Sequence, residues 1–164
     1  VGRDSGADVG TRIALDAQLL MGHLHRQGGR LEEAVRAFKD ALAAVRDNST
    51  TAHQAEFDAM AAMAQVNLGH ALLALERGFE ARNAYEVALA RGRASGLPSG
   101  RAAAANAALN LGSALEGEEP EARRREWYEA ARALGRSSGT SLGNECALQA
   151  ERALRRLERG EPGD

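Results

Sequence analysis

Three glycines recur inside segments that otherwise have strong helix-forming sequences, at Gly22, Gly69 and Gly112. Each is followed 16 residues later by an aromatic residue and 19 residues later by Ala. A Gly inside a helix weakens it by about 1 kcal/mol relative to Ala, so three of them at matching positions require a compensating contact. We predict that the missing Cβ lets a second helix press its aromatic ring onto the first. The three rings are those of Phe38, Tyr85 and Tyr128.

The segments around these glycines are copies of one unit. Ala lies 12 residues after the Gly in the first two copies, as Ala34 and Ala81. In the third copy Arg124 holds that position, and Ala122 is the equivalent if the turn is two residues shorter. The chain is rich in Ala, has only three Pro and contains no evident strand pattern, so each copy is expected to be a pair of α-helices.

These offsets, with the Asn-Leu-Gly triplets at 67–69 and 110–112, resemble the tetratricopeptide repeat (TPR). The resemblance covers 11–136 and implies an all-α fold: a right-handed α-solenoid of about three TPR-like helix pairs, with a last helix making about seven. The copies are 47 and 43 residues apart, longer than the usual repeat of about 34. That spacing is similar to the extended-helix repeats of Leu-Gly-Asn-repeat cell-polarity scaffolds and kinesin light chains.

The domain organisation predicted from this pattern is linear. A flexible segment is expected at 1–10, repeats at about 11–50, 51–97 and 98–136, and a tail at 160–164. The helix at 141–159 is either a cap on the last repeat or the first helix of a fourth one. Glycine and Ser-rich stretches predict breaks at 94–100 and 136–141. The expected helices are 11–27, 31–47, 51–77, 79–93, 101–116, about 120–135 and 142–159.

The resemblance implies that function lies on the concave face formed by the first helix of each pair. Asn67 and Asn110 match the Asn that TPR proteins use to hold the backbone of an extended peptide. An amide offers both a donor and an acceptor, which suits a peptide unit of any sequence. The alternative is that this Asn is simply a common repeat residue. The expected groove residues are His23, Arg26, Gln27, Asn67, His70, Asn106, Asn110 and Ser113.

One well-known TPR ligand is not expected. The carboxylate clamp for a chaperone C-terminus needs cations on the concave face, but Leu19 and Asn106 occupy two of those positions. Lys is nearly absent from the chain, and Lys39 falls on a second helix. The sequence therefore argues against binding of an Hsp70 or Hsp90 tail.

The remaining chemistry-bearing residues do not form a catalytic or metal-binding pattern. His23 and His25 are two apart and point in different directions on a helix, and Cys146 is the only cysteine. His23 and His70 each follow a repeat Gly, so they are either a pH-responsive pair or two solvated histidines. The sequence therefore predicts no catalytic residues, no metal site and no cofactor.

Composition limits the partners. The net charge of −2 and the 4% of aromatic residues do not favour nucleic-acid binding, and no apolar run suggests a membrane span. The single Cys is typical of an intracellular protein, and we expect a cytoplasmic location. The predicted function is a non-catalytic protein–protein interaction module that binds a peptide or helix of another protein. The alternative is a structural subunit that self-associates as a homo-oligomer.

Overall fold

The computed structural model describes residues 5–48, 53–114 and 120–160, with side chains from Val9 to Asp47 in the first stretch. This part of the chain contains seven helices and no strand, as predicted for an all-α solenoid. No helix in it is both long and apolar enough to cross a membrane. The helices are α1 (Ser5–Gln27), α2 (Leu31–Asn48), α3 (Gln54–Ala74), α4 (Gly78–Ser95), α5 (Pro98–Ala114), α6 (Glu121–Ser138) and α7 (Ser141–Glu158).

The helices form two layers. Each helix packs against the next in the chain, and α1, α3, α5 and α7 also contact one another in sequence. Within the described residues, α2, α4 and α6 make no such contacts among themselves. The odd-numbered helices therefore form the inner, concave layer and the even-numbered helices the outer, convex one.

The predicted contact between glycine and aromatic ring is confirmed in all three pairs. A Cβ placed on Gly69 or Gly112 would lie 2.5 Å from the ring of Tyr85 or Tyr128. Gly22 is just as tightly covered by Phe38. The three rings are buried, and losing such a ring costs about 3–5 kcal/mol, so this packing outweighs the weaker helix propensity of Gly.

A second set of glycines, which the sequence analysis missed, joins one pair to the next. Gly92 of α4 faces the backbone carbonyl of Gly100 at the start of α5, leaving no room for a side chain. Gly135 of α6 faces the carbonyl of Gly143 in α7 in the same way, 43 residues later. Backbone therefore approaches backbone at these two junctions.

The chain reverses at these junctions within two residues, so the breaks predicted at 94–100 and 136–141 are too long. Gly96 and Gly139 adopt φ of 66° and 67°, a left-handed conformation that ends a helix in one residue. The hydroxyls of Ser95 and Ser138 donate to the carbonyls of Gly92 and Gly135. Serine thus continues the helix here instead of breaking it.

Other helix ends also differ from the prediction. The first helix begins at Ser5 rather than at residue 11, so Gly10, a weak helix former, lies inside it. Helix α3 ends at Ala74 rather than 77, where Glu76 takes a left-handed φ of 59°. Helix α2 extends through Asn48, one residue past its expected end, and residues 49–52, 115–119 and the tail from 161 lie outside the described residues.

The third pair keeps the register of the other two. Ala34 and Ala81 are buried, whereas Ala122 is exposed and is therefore not their equivalent. Arg124 takes the position, and its Nε donates to the carbonyl oxygen of Gly112 at 3.2 Å. That bond satisfies one of the free carbonyls in the last turn of α5.

Candidate functional site: the concave groove

Histidine and asparagine side chains connect neighbouring inner helices. Asn67 Nδ2 of α3 donates to His23 Nε2 of α1 at 3.2 Å, and Asn67 is only 6% exposed. One repeat later, the side chain of Asn110 lies close enough to His70 to raise the pKa of that histidine. The His after each repeat Gly thus meets the Asn two residues before the next repeat Gly. Each histidine also contacts, edge to face, the aromatic ring that packs on the Gly directly before it: His23 contacts Phe38, and His70 contacts Tyr85.

These contacts limit which donor and acceptor groups of the asparagine side chains are available to a ligand. The amide of Asn67 is buried and engaged with His23. Asn110 Nδ2 donates to both the backbone oxygen and Oδ1 of Asn106, at 2.8 and 2.6 Å. Asn106 and Asn110 are both half-buried, whereas Asn67 is buried and its partner His23 is half-buried.

The two histidines are held neutral. Burial lowers the pKa of His70 below its usual value, the nearby Arg26 guanidinium and His23 lower it further, and Asn110 partly opposes them. Burial, followed by Arg26, lowers the pKa of His23 in the same direction. Arg26 Nε itself is buried without a hydrogen-bond partner. At neutral pH the positive charge at this point therefore belongs to Arg26.

A cavity of about 870 Å³ lies on the concave side between α5 and α7. Four of the predicted groove residues line it together: His70, Asn106, Asn110 and Ser113. The other four lie towards the N-terminus: His23 and Asn67 are hydrogen-bonded to each other, and Arg26 and Gln27 lie at the end of α1. Ser113 is exposed, and its hydroxyl donates only to Leu109 of its own helix.

The other wall of the cavity is α7, which the sequence analysis left out of the groove. Gly135 and Gly143 place α7 on α6 as Gly92 and Gly100 place α5 on α4, so α7 has the position of the first helix of a fourth pair. The signal was present in the sequence. Counting 43 residues on from Gly112 reaches Arg155. The groove positions, two, three and six residues before the repeat Gly and one, four and five after it, then fall on Ala153, Arg152, Gln149, Arg156, Arg159 and Gly160. The first five line the cavity, as does Arg155.

The groove offers hydrogen-bonding groups and charge rather than a reactive group. The Cys146 thiol is buried, and burial together with Glu145 raises its pKa to about 11, which disfavours the thiolate. No group of three or more His, Cys, Asp or Glu side chains in the described segments is arranged to hold a metal ion. The arrangement is suited to binding.

Comparison with known proteins gives a fold and no closer identity. No protein-family model matches this sequence, and no curated protein matches it. Among solved structures, the crystal structure of BtubC (BKLC) from P. vanneervenii is similar, with a TM-score of 0.59 at 19% sequence identity. The match covers 92% of this chain and 66% of that one, so the chain spans somewhat less than two thirds of it. The likeness supports a TPR-like helical repeat fold.

Proposed function

We propose that this chain is a non-catalytic interaction module that binds an extended segment of another protein in its concave groove. The observation that carries the proposal is the cavity between α5 and α7, where four groove residues predicted from repeat offsets converge. Its volume of about 870 Å³ is within the range of ligand-binding clefts.

The polar groups of the groove suit a peptide backbone. Asn106, Asn110 and Ser113 lie on successive turns of α5 and present carbonyl, amide and hydroxyl groups along the cavity wall. Such groups can pair with peptide N–H and C=O groups without selecting a particular side chain. The hydrogen bonds from Asn110 Nδ2 to Asn106 fix the orientation of the Asn110 amide in this row.

The experiment uses peptides selected from a random display library against the full chain. Ser113→Trp would fill the groove with an indole ring at an exposed position. Ser137→Trp is the matched control, because Ser137 is also exposed and also donates only to its own helix, but lies on the outer helix α6. We expect Ser113→Trp to weaken peptide binding at least tenfold and Ser137→Trp to leave it unchanged. Equal binding by both variants would exclude the groove.

A second candidate function, self-association, is favoured by an apolar stripe on α1. Val9, Ile13, Leu20 and Leu24 are each more than half exposed and follow one face of the helix. They are spaced almost symmetrically about Ala17, which fits a second copy of α1 running antiparallel across a two-fold axis. Light scattering should then show a dimer that Ile13→Glu/Leu20→Glu converts to a monomer. A wild-type monomer at every concentration would exclude it.

A further inference from the structure

The wall that α7 contributes to the groove is strongly basic. Arg152, Arg155, Arg156 and Arg159 line the cavity, and Glu145 is the one carboxylate among the described lining residues. Glu151 is on the same helix, but it accepts a hydrogen bond from Arg136 of α6 and is not part of the lining. The excess of positive charge is local, because the chain as a whole has a net charge of −2.

Two of these arginines are well placed for a ligand. Arg152 and Arg155 are exposed at the cavity, one turn apart on α7. Neither forms an ion pair with a carboxylate in the described part of the chain. A guanidinium can donate two parallel hydrogen bonds to one carboxylate, an arrangement stronger than a neutral hydrogen bond.

Among the described residues that line the cavity, those facing α7 include no cation. Helix α5 contributes the Asn106–Asn110 pair and Ser113, and α3 contributes His70, which burial keeps neutral. A chain segment lying between α5 and α7 would therefore have backbone-binding groups on one side and guanidinium groups on the other.

We propose that the half of the groove between α5 and α7 binds an acidic, extended segment of a partner protein, with its Asp or Glu carboxylates paired to Arg152 and Arg155. The inference rests on the proposed function and adds the chemistry of the partner. A nucleic acid fits the site less well. The aromatic ring in the cavity, Tyr128, is buried against Gly112 and presents no face for a base to stack on.

The test is fluorescence anisotropy with the full chain and a labelled peptide of alternating Glu and Ser. The neutral match is the peptide of alternating Gln and Ser. We expect the acidic peptide to bind at least tenfold more tightly, and Arg152→Gln/Arg155→Gln to remove about that factor. The control Arg36→Gln/Arg132→Gln removes the same charge from outer helices α2 and α6 and should leave binding unchanged.

A charge reversal gives a readout that loss of folding could not produce. Arg152→Glu/Arg155→Glu should reject the acidic peptide and bind a peptide of alternating Lys and Ser. Equal affinity for the Glu and Gln peptides would overturn the inference, as would a single-stranded DNA oligonucleotide bound as tightly as the acidic peptide. If Ser113→Trp blocks library peptides that are not enriched in Asp and Glu, the groove is the binding site but the proposal of an acidic partner is wrong. If Ser113→Trp blocks no library peptide, the proposal that the groove binds peptides is itself wrong.

Discussion

The two ways in which this solenoid joins successive helix pairs differ in chemistry. Between α2 and α3 the contact is made by large side chains, with Val45 and Phe57 buried in a cluster. Between α4 and α5 it is made by glycines that let one backbone approach the other. The α6–α7 junction repeats that glycine contact 43 residues later, whereas the first two pairs are 47 residues apart.

The difference shows at which junctions the packing of one helix pair on the next does not depend on side-chain rotamers. A contact between side chains can relax through χ rotations, whereas a contact between backbone and a Cβ-free residue cannot. The glycine junctions hold α5 and α7, the two walls of the proposed binding cavity. The groove is therefore built on the more tightly constrained half of the molecule, as a preorganised site requires.

The largest expected effect comes from breaking the first junction. Phe57→Ala removes a ring that is 1% exposed, and we expect the free energy of unfolding to fall by about 3–5 kcal/mol. Urea unfolding followed by circular dichroism measures it. A loss below about 1 kcal/mol would mean that this junction does not depend on large side chains.

The opposite change should break the second type of junction. Gly135→Val adds a side chain facing the Gly143 carbonyl and should cost at least about 1–3 kcal/mol through overpacking. Gly10→Ala is the matched control, because a Cβ at that helical position meets nothing within 4 Å. The control should gain about 0.5–1 kcal/mol. An unchanged free energy of unfolding in Gly135→Val would show that α6 and α7 can move apart enough to accept the side chain without loss of stability.

A smaller effect should appear on acidification. The pKa values of His23 and His70 are lowered in the folded state, so the unfolded chain takes up their protons first as the pH falls through about 6.5. Stability present at pH 7.5 should therefore be partly lost towards pH 5.5. His23→Gln/His70→Gln puts an amide, which hydrogen-bonds but does not titrate, at both positions and should lose less over the same range. If stability depended on pH identically in the wild type and in this variant, the account of His23 and His70 as neutral groups would be contradicted.

The smallest effect concerns the hydroxyl of Tyr85. It is buried and has no hydrogen-bond partner among the described residues, and Phe38 fills the equivalent position in the first pair without a hydroxyl. Tyr85→Phe should therefore leave stability unchanged or raise it by up to about 1–2 kcal/mol. Thermal unfolding measures it, and a clear loss would show that the hydroxyl has a stabilising partner.

Much of the fold could be predicted, because the spacing of Gly and aromatic ring is set by two helices packing within one local hairpin. The position of α7 was also encoded at the 43-residue period, but Arg155 stands where the earlier copies have their Gly, so the copy is not marked. The direction of Asn67 could not be predicted. Whether its amide faces the groove or His23 depends on how α1 and α3 cross, and residues 44 apart in the chain set that geometry.

The central claim is that the concave surface between α5 and α7 is where a partner binds. The most direct measurement is the change in backbone amide NMR shifts of the full chain on addition of a library-selected peptide. The account predicts that the largest changes fall on Asn106 to Ser113 and Gln149 to Arg156, with α2, α4 and α6 unaffected. Changes concentrated on the outer helices or on the apolar stripe of α1 would contradict it.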